Sequence, residues 1–191
     1  GKTLLMIIND ILDFSKIEAG KLELEETEFD VVSYCKELLK PFQYTSQKKG
    51  ISFKITAENY EKCVIADEGR VGQILTNLVS NSIKFTKSGG VHVEIMTCDL
   101  GDFTNVKLLV HDTGIGIPEQ AKGRMFHAFT QADQTISRSF GGTGLGLSIS
   151  KRLVDMMGGK ISFESELGKG TTFKVELKLK NGKLISQQFR L

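Results

Sequence analysis

Residues 68–86 read EGRVGQILTNLVSNSIKFT, and this stretch predicts a helix that packs on a sheet. Its polar side chains lie three or four positions apart and share one face: Arg70, Gln73, Asn77, Asn81 and Lys84. The opposite face is apolar and suited to covering a sheet. Because Asn is a poor helix former, two Asn one turn apart are an unusual choice for a solvated face.

The polar face of this helix has two possible roles. Carboxamide oxygens ligate hard cations, and Mg²⁺ commonly bridges phosphate oxygens with few protein ligands. A lysine on the same face can meet phosphate as a point charge. Asn77, Asn81 and Lys84 therefore predict a magnesium and phosphate site, and the alternative is a polar face that only contacts water.

The segments around this helix predict an α+β fold with a mixed sheet and helices on one face. Strands that are neighbours in sequence prefer antiparallel pairing. The segment 21–31 reads as a short strand or linker, and 112–146 as a long functional loop with a short helix inside it. The other predicted elements are helices at 32–47 and 147–157 and strands at 51–56, 64–66, 91–97, 106–111, 160–165 and 171–179.

Residues 2–19 have apolar positions at helical spacing, and Gly20 is a suitable C-cap. The apolar face is wide for a lone surface helix. It indicates one helix of a helical bundle, such as that of a dimer. The alternative is an ordinary N-terminal helix packed on the core.

Composition excludes several classes of protein. The chain has 191 residues, 40% of them hydrophobic and 25% charged, which is typical of a globular protein and not of a disordered chain. Lys and Arg number 25 against 23 Asp and Glu, so a nucleic-acid partner has little support. No apolar run is long enough to span a membrane, and no signal peptide is visible. Three dispersed Cys predict free thiols in a reducing, cytoplasmic compartment.

Two glycine-rich boxes point to a ligand. DTGIGIP at 112–118 follows a strand, where a buried carboxylate can accept a hydrogen bond from an exocyclic amine such as that of adenine. GGTGLGL at 141–147 leads into a helix, and its backbone N–H groups can bind an anion. This second box lacks the GK[ST] of a P-loop and the third Gly of a Rossmann fingerprint. The alternatives are a tight turn for the first box and a hinge for the second.

A third glycine-rich segment, GKGTTF at 168–173, opens the final strand. A Thr hydroxyl there can reach a base edge, although by itself the segment reads as a β-turn. The order of Asn77…Asn81…Lys84, DTGIGIP, FHAF (126–129), GGTGLGL and GKGTTF resembles the N, G1, F, G2 and G3 boxes of sensor histidine kinases. Those kinases belong to the Bergerat-type superfamily shared with type II topoisomerases, the heat-shock chaperone ATPase and mismatch-repair ATPases.

The resemblance implies a two-layer sandwich in which three helices cover one face of the sheet, with ATP on the helical side under a mobile lid. It also implies three regions. Residues 1–20 resemble the end of the second helix of the dimerisation domain, carried by the phrase NDILDFSKIEAGKLELE at 9–25. Residues 21–180 resemble the ATP-binding catalytic domain, and residues 181–191 form a tail or linker.

The resemblance implies a role for each matching residue. Asp112 matches the carboxylate that binds the adenine amino group, Gly114 and Gly116 shape the floor around the base, and Thr172 matches a hydroxyl that supports adenine recognition. Asn81 matches the Mg²⁺ ligand, Asn77 lies beside it in the catalytic site, and Lys84 matches a phosphate contact. Phe126 and Phe129 match the lid, whose phosphate-side end comprises Gly142, Thr143, Gly144, Leu145 and Gly146.

Asn77 separates this sequence from the hydrolysing relatives, which have a Glu there to activate water. An amide cannot act as a general base, so phosphoryl transfer to a protein acceptor is favoured over water attack. The acceptor His of the family is not found, because His92, His111 and His127 lack its sequence context. We therefore expect a catalytic part that phosphorylates a dimerisation domain absent from this chain, in a homodimer that passes the phosphoryl group to a response-regulator receiver domain. The alternatives are a degenerate nucleotide-binding switch and a related ATPase.

Overall fold

Five helices and seven strands make up the part of the chain that the computed structural model describes, which is residues 2–58, 62–128 and 144–183. The helices are α1 (Lys2–Glu18), α2 (Val31–Lys49), α3 (Glu68–Phe85), α4 (Glu119–Lys122) and α5 (Gly146–Met156). The strands are β1 (Thr27–Asp30), β2 (Ser52–Glu58), β3 (Cys63–Ala66), β4 (Gly90–Asp99), β5 (Phe103–Asp112), β6 (Lys160–Glu166) and β7 (Gly170–Asn181). The predicted α+β class is confirmed.

All seven strands join one sheet in the order β1–β3–β7–β5–β4–β2, and β6 pairs with β7 beside that path. β2 runs parallel to β4 and the other pairs are antiparallel, as expected for a mixed sheet. The ends of β5 and β7 lie side by side, with His111 opposite Thr172 and Asp112 opposite Thr171. Because side chains alternate along a strand, this register decides which of the four share a face.

The two faces of the sheet differ in what covers them. Along β4 and β5, buried residues alternate with half-exposed ones, so that one face is apolar. The buried side chains form one core with residues of α2, α3 and α5, such as Leu39, Leu78 and Leu153. The predicted cover of three helices is therefore confirmed. We call the two sides the helix-covered face and the open face.

Helix α3 lies over the middle of the sheet and begins at a well-formed cap. The side chain of Asp67 accepts a hydrogen bond from the Arg70 amide at 3.0 Å, which satisfies a backbone donor at the start of the helix. Its other oxygen accepts from the Glu25 amide at 2.9 Å and so holds the preceding linker. This anchoring fixes the position of the polar side of α3.

Helix α1 packs on the rest of the chain along only one side. Phe14 and Ile17 contact the core, whereas Ile8, Ile11 and Leu12 are exposed. This apolar surface fits the expectation of a bundle helix, and the assignment of residues 1–20 to a dimerisation domain stays a prediction. No helix in the described ranges is long and apolar enough to cross a membrane.

Three predicted boundaries change. Within 21–31 only Thr27–Asp30 is a strand, because its pairing with β3 covers just these four residues. The connection between the strands predicted at 91–97 and 106–111 is shorter than predicted, since β4 continues to Asp99 and β5 already begins at Phe103. β7 continues through Asn181, whose side chain donates to the Gly101 carbonyl and accepts from the Thr104 hydroxyl, each at 2.6 Å. The predicted tail therefore begins after Asn181, and residues 184–191 lie outside the described residues.

Candidate functional site

The polar stripe of α3 divides into two parts with different partners. At its start, Arg70 Nη1 donates to Asp13 Oδ2 of α1 at 2.9 Å, and Gln73 Nε2 donates to the same oxygen at 2.8 Å. Arg70 also donates to Gln73 Oε1 at 2.7 Å. This first part of the stripe therefore holds α1, and only the later turns are available to line a ligand site.

Asn77 connects α3 to the start of α5. Its Nδ2 donates to the Gly146 carbonyl at 3.2 Å and to Ser150 Oγ at 3.3 Å. A side-chain carbon on Gly146 would lie 3.5 Å from the Asn77 carboxamide carbon, which is an ordinary van der Waals contact, so the Asn77 side chain packs against the start of α5. Asn77 thus fixes the helix that follows the second glycine-rich box, and as an amide it has no basic group to offer a water molecule.

Asn81 lies one turn after Asn77 and is half-buried. Within the ranges that the structure describes, its carboxamide has no hydrogen bond, ion pair or ring contact. A half-buried amide oxygen of this kind suits a hard cation that keeps most of its other ligands from water and phosphate. The residues present therefore fit Mg²⁺ at the predicted position.

Lys84 lies on the next turn, with Nζ 4.9 Å from the centroid of the Phe85 ring. Burial lowers the pKa of Lys84 from its usual range because desolvation disfavours the charged ammonium. A bound phosphate would offset that cost by supplying a negative charge. The position is therefore suited to an anionic ligand.

Asp112 ends β5 on the helix-covered face and receives three hydrogen bonds. Its Oδ1 accepts from the amides of Gly114 at 2.9 Å and Thr171 at 3.2 Å. Its Oδ2 accepts from the Ser82 hydroxyl of α3 at 3.0 Å. Strand, turn, neighbouring strand and helix therefore converge on one carboxylate.

Burial raises the pKa of Asp112 above its usual value, since desolvation disfavours the charged form. The hydrogen bonds from Gly114, Ser82 and Thr171 oppose this effect, as does the charge of His111. The carboxylate is thus a half-buried acceptor whose charged form is stabilised by the donors around it. A ligand amine is the kind of group that would complete this environment.

The turn after Asp112 requires glycine at two positions. A side-chain carbon on Gly114 would lie 2.7 Å from the Phe85 carbonyl oxygen, and one on Gly116 would lie 2.1 Å from that of Glu166. Gly116 also has φ 69°, in the left-handed region that favours glycine. The first glycine-rich box is therefore packed between the end of α3 and the turn after β6, as a floor around a ligand requires.

The prediction for Thr172 needs correction by one residue. The Thr172 hydroxyl lies 2.9 Å from His111 Nδ1 on the open face, away from Asp112. Thr171 is the residue opposite Asp112, and its amide donates to that carboxylate. The Thr171 hydroxyl lies 2.9 Å from Ser165 Oγ. Because neighbours on a strand point to opposite faces, a shift of one residue moves the side chain to the other side.

The second glycine-rich box is described only from Gly144 onward. Gly144 has φ 69°, Leu145 is buried, and Gly146 begins α5. The predicted contacts Gly142 and Thr143, and Phe129 of the lid, lie outside the described residues. The first amides of α5, an 11-residue helix, stand beside Asn77 and are a suitable anion-binding element.

Phe126 lies at the start of the predicted lid and packs on the sheet. Its ring centroid is 5.6 Å from that of Phe163 at an interplanar angle of 65°, and Phe163 is 5.9 Å from Phe173 of β7. Phe126 therefore anchors the beginning of the lid on β6. Its predicted contact with the nucleotide stays a prediction.

The strand histidines lie together on the open face. His111 Nε2 is 2.6 Å from Glu94 Oε1, and His92 Nε2 is 2.9 Å from the Thr56 hydroxyl. The two rings are 5.8 Å apart. Both rings are therefore held by side chains of the open face, and the absence of the acceptor His stays a prediction.

Two residues of the site, Ser82 and Thr171, were not predicted. Ser82 directly follows Asn81 and is buried, and Thr171 directly precedes the residue that was chosen. For Thr171, the alternation of β7 against β5 is the signal that identifies the correct residue. For Ser82, no local pattern separates it from the other hydroxyl residues of α3.

Comparison with known proteins identifies the family of the chain. Residues 66–181 match the family described as histidine kinase-, DNA gyrase B-, and HSP90-like ATPase. The signal transduction histidine-protein kinase BarA of Escherichia coli strain K12 is 45% identical over 178 residues, which cover 92% of this chain and 19% of that protein. The chain thus spans a minor part of the length of this relative.

Solved structures agree with the sequence match. The crystal structure of full-length ShkA in complex with AMPPNP superposes with a TM-score of 0.80 at 33% identity, covering 94% of this chain and 36% of that chain. The catalytic domain of histidine kinase ThkA gives a TM-score of 0.63 at 31% identity, covering 81% of this chain and 95% of that chain. Both share the arrangement of helices on a mixed sheet.

Proposed function

The chain belongs to the histidine kinase-, DNA gyrase B-, and HSP90-like ATPase family, and on that premise we propose that it is the ATP-binding catalytic part of a sensor histidine kinase. The carrying observation is Asp112, a half-buried carboxylate at a strand end that is surrounded by donors from α3, β7 and the glycine turn. Such an acceptor suits the exocyclic amine of adenine.

The phosphates would lie toward α5 and the last turns of α3. Asn81 would ligate Mg²⁺, and Lys84 and the first amides of α5 would contact phosphate oxygens. When bound, the metal neutralises charge on the β- and γ-phosphates. Asn77 holds the start of α5 against α3 and keeps these groups in fixed relation. Catalysis by this chain then consists of positioning and electrostatic stabilisation.

The acceptor would be a His on a dimerisation domain outside these residues. The relation of α1 to the catalytic fold supports this proposal, because α1 shows an exposed apolar surface next to its contacts with α3. In the whole protein we place the domain in the cytoplasm, as part of a homodimer. The phosphoryl group would pass from the His to a receiver domain of a response regulator.

Asn77 favours this function over a hydrolysing ATPase. Its carboxamide donates to α5 and cannot remove a proton from water. A degenerate nucleotide-binding module is disfavoured because Asp112, Gly114, Gly116, Asn81 and Lys84 are all present in the arrangement described above. Both alternatives predict a different outcome with labelled ATP: a hydrolase releases phosphate, and a degenerate module transfers none to an added dimerisation domain.

The magnesium assignment is tested by Asn81→Ala. We expect the wild-type chain to bind ATP about tenfold more tightly in the presence of Mg²⁺ than in the presence of EDTA. The variant should lose that difference, because the amide ligand is gone. Isothermal titration calorimetry measures both affinities. Asn105→Ala, a half-exposed change on the open face of β5, is the matched control and should keep the magnesium effect. A magnesium effect of wild-type size in Asn81→Ala would remove the metal assignment.

A further inference from the structure

The Asp112 carboxylate has little unused capacity for hydrogen bonds. An ionised carboxylate offers about four lone-pair directions, two on each oxygen. Oδ1 already accepts two hydrogen bonds, from the amides of Gly114 and Thr171. Oδ2 accepts one hydrogen bond from Ser82, which leaves one direction open. A ligand amine must therefore be received at Oδ2, the same oxygen that Ser82 holds.

Ser82 is placed rigidly for this contact. It is 2% exposed on α3, and its carbonyl accepts from both the amide of Thr86 at 3.1 Å and the hydroxyl of Thr86 at 2.7 Å. A serine inside a helix commonly donates to a carbonyl of its own preceding turn. The Ser82 hydroxyl instead donates to a carboxylate thirty residues further along the chain. It is the one side-chain donor to Asp112 in the described part of the chain.

We propose that Ser82 is a positioning residue for base recognition: its hydroxyl holds Oδ2 of Asp112 so that the remaining lone pair faces the amine of an adenine nucleotide. The proposal rests on the proposed function, because it requires that Asp112 reads the base. Guanine presents a carbonyl oxygen where adenine has its amine, and an acceptor facing an acceptor is rejected. Ser82 therefore contributes to the preference for adenine without touching the base.

The test compares ATP and GTP affinities, by calorimetry with Mg²⁺, in the wild-type chain and Ser82→Ala. We expect Ser82→Ala to weaken ATP binding about tenfold, the size of one hydrogen bond to a charged group, and to leave GTP binding nearly unchanged. The ratio of ATP affinity to GTP affinity should therefore be smaller in Ser82→Ala than in the wild-type chain. Ser82→Thr keeps the hydroxyl and should restore the preference, which a purely structural role for Ser82 would not predict.

A matched control is Ser46→Ala. Ser46 is also a buried helical serine, and its hydroxyl has no hydrogen-bond partner among the described residues. This control should leave both affinities at wild-type values. If Ser82→Ala lowers thermal stability too far to be titrated, Ser82→Cys keeps the volume with a weak donor and should also narrow the preference.

Asp112→Asn separates the two levels of the proposal. If it leaves the ATP-to-GTP preference unchanged, Asp112 does not read the base and the proposed adenine site is wrong. If it abolishes the preference while Ser82→Ala and Ser82→Cys keep it, the adenine site stands and the role of Ser82 is overturned. If Asp112→Asn loses the preference for ATP over GTP, and Ser82→Ala and Ser82→Cys reduce it, both the adenine site at Asp112 and the positioning role of Ser82 are supported.

Discussion

The ends of β5 and β7 present the same strands to two different environments. On the helix-covered face, Asp112 and Thr171 meet α3 and the glycine turn, and Asp112 accepts three hydrogen bonds. On the open face, the His111 ring lies within hydrogen-bonding distance of both the Thr172 hydroxyl and the Glu94 carboxylate, and His111 and Glu94 are each about one-third exposed. The two pairs are neighbours on the same two strands, so their environments differ because of what packs over each face.

The candidate site is therefore defined by the elements that pack above the sheet. Asp112 is partly desolvated, which raises its pKa, and a ligand amine would supply a hydrogen-bond donor that stabilises the charged carboxylate. His111 has both ring nitrogens in contact with side chains that remain partly in water. We expect substitutions on the helix-covered face to affect nucleotide binding and those on the open face to be nearly silent.

The largest effect is expected from Asp112→Asn compared with His111→Asn. The carboxamide turns a donor group toward the ligand amine and loses the charge, so ATP affinity should fall about a hundredfold. His111→Asn should change it by less than about threefold, as is usual for partly exposed positions. Calorimetry at pH 8 in the presence of Mg²⁺ measures both. A comparable loss in the two variants would contradict the separation of the faces.

Thermal unfolding of the nucleotide-free chain shows whether Asp112→Asn loses affinity through unfolding. Because burial raises the pKa of Asp112, the folded state favours the protonated carboxyl, and this contribution to stability is lost as pH rises through the folded-state pKa. At neutral pH the ionised group therefore costs stability. Asp112→Asn should therefore melt at a higher temperature than the wild-type chain. A lower melting temperature would attribute its weaker ATP binding to loss of structure instead of to the missing carboxylate.

A smaller effect is expected from the pair Thr171→Val and Thr172→Val. The Thr171 hydroxyl is buried against Ser165, so its loss should lower the free energy of unfolding by about 1–2 kcal/mol. Thr172 is half-exposed, and valine is well suited to a strand, so its change should stay within about 0.5 kcal/mol. Urea denaturation measures both. Equal losses of unfolding free energy in the two variants would contradict the placement of Thr171 on the helix-covered face and of Thr172 on the open face.

The smallest effect concerns His92 on the open face. Burial lowers the pKa of His92 from 6.5, although the nearby Glu94 opposes this shift. The folded state then favours the neutral ring, so stability is present above the unfolded-state pKa and declines as pH falls below about 6.5. His92→Asn should make the decline between pH 7 and 5 shallower in thermal unfolding. Identical slopes in both chains would show that His92 does not contribute.

Much of the fold could be predicted because its patterns are local and periodic. The segment patterns predict an α+β fold with helices on one face of a mixed sheet. The family resemblance, which implies the two-layer sandwich, is confirmed by the match over residues 66–181. Element ends shifted where pairing across the sheet decides them, as at Asn181. Such pairing depends on residues that are distant in sequence.

The candidate site was predictable to the level of its motifs and not of its individual contacts. Asp112, Asn81 and Gly116 follow from motif order, whereas the choice between Thr171 and Thr172 depends on register, which the motif does not contain. The contact of Ser82 with Asp112 joins a helix to a strand end and has no local signal. Likewise, Arg70 and Gln73 share the stripe of Asn77 but bind α1, which only the tertiary arrangement decides.

We expect an adenine nucleotide to bind at the helix-covered end of β5. This expectation is tested most directly by a crystal structure of this chain with Mg²⁺ and AMPPNP. We predict that the adenine amine lies within hydrogen-bonding distance of Asp112 Oδ2, beside Ser82, and that Asn81 ligates the metal. A base bound elsewhere, or an adenine amine with no contact to Asp112, would contradict the proposed adenine site.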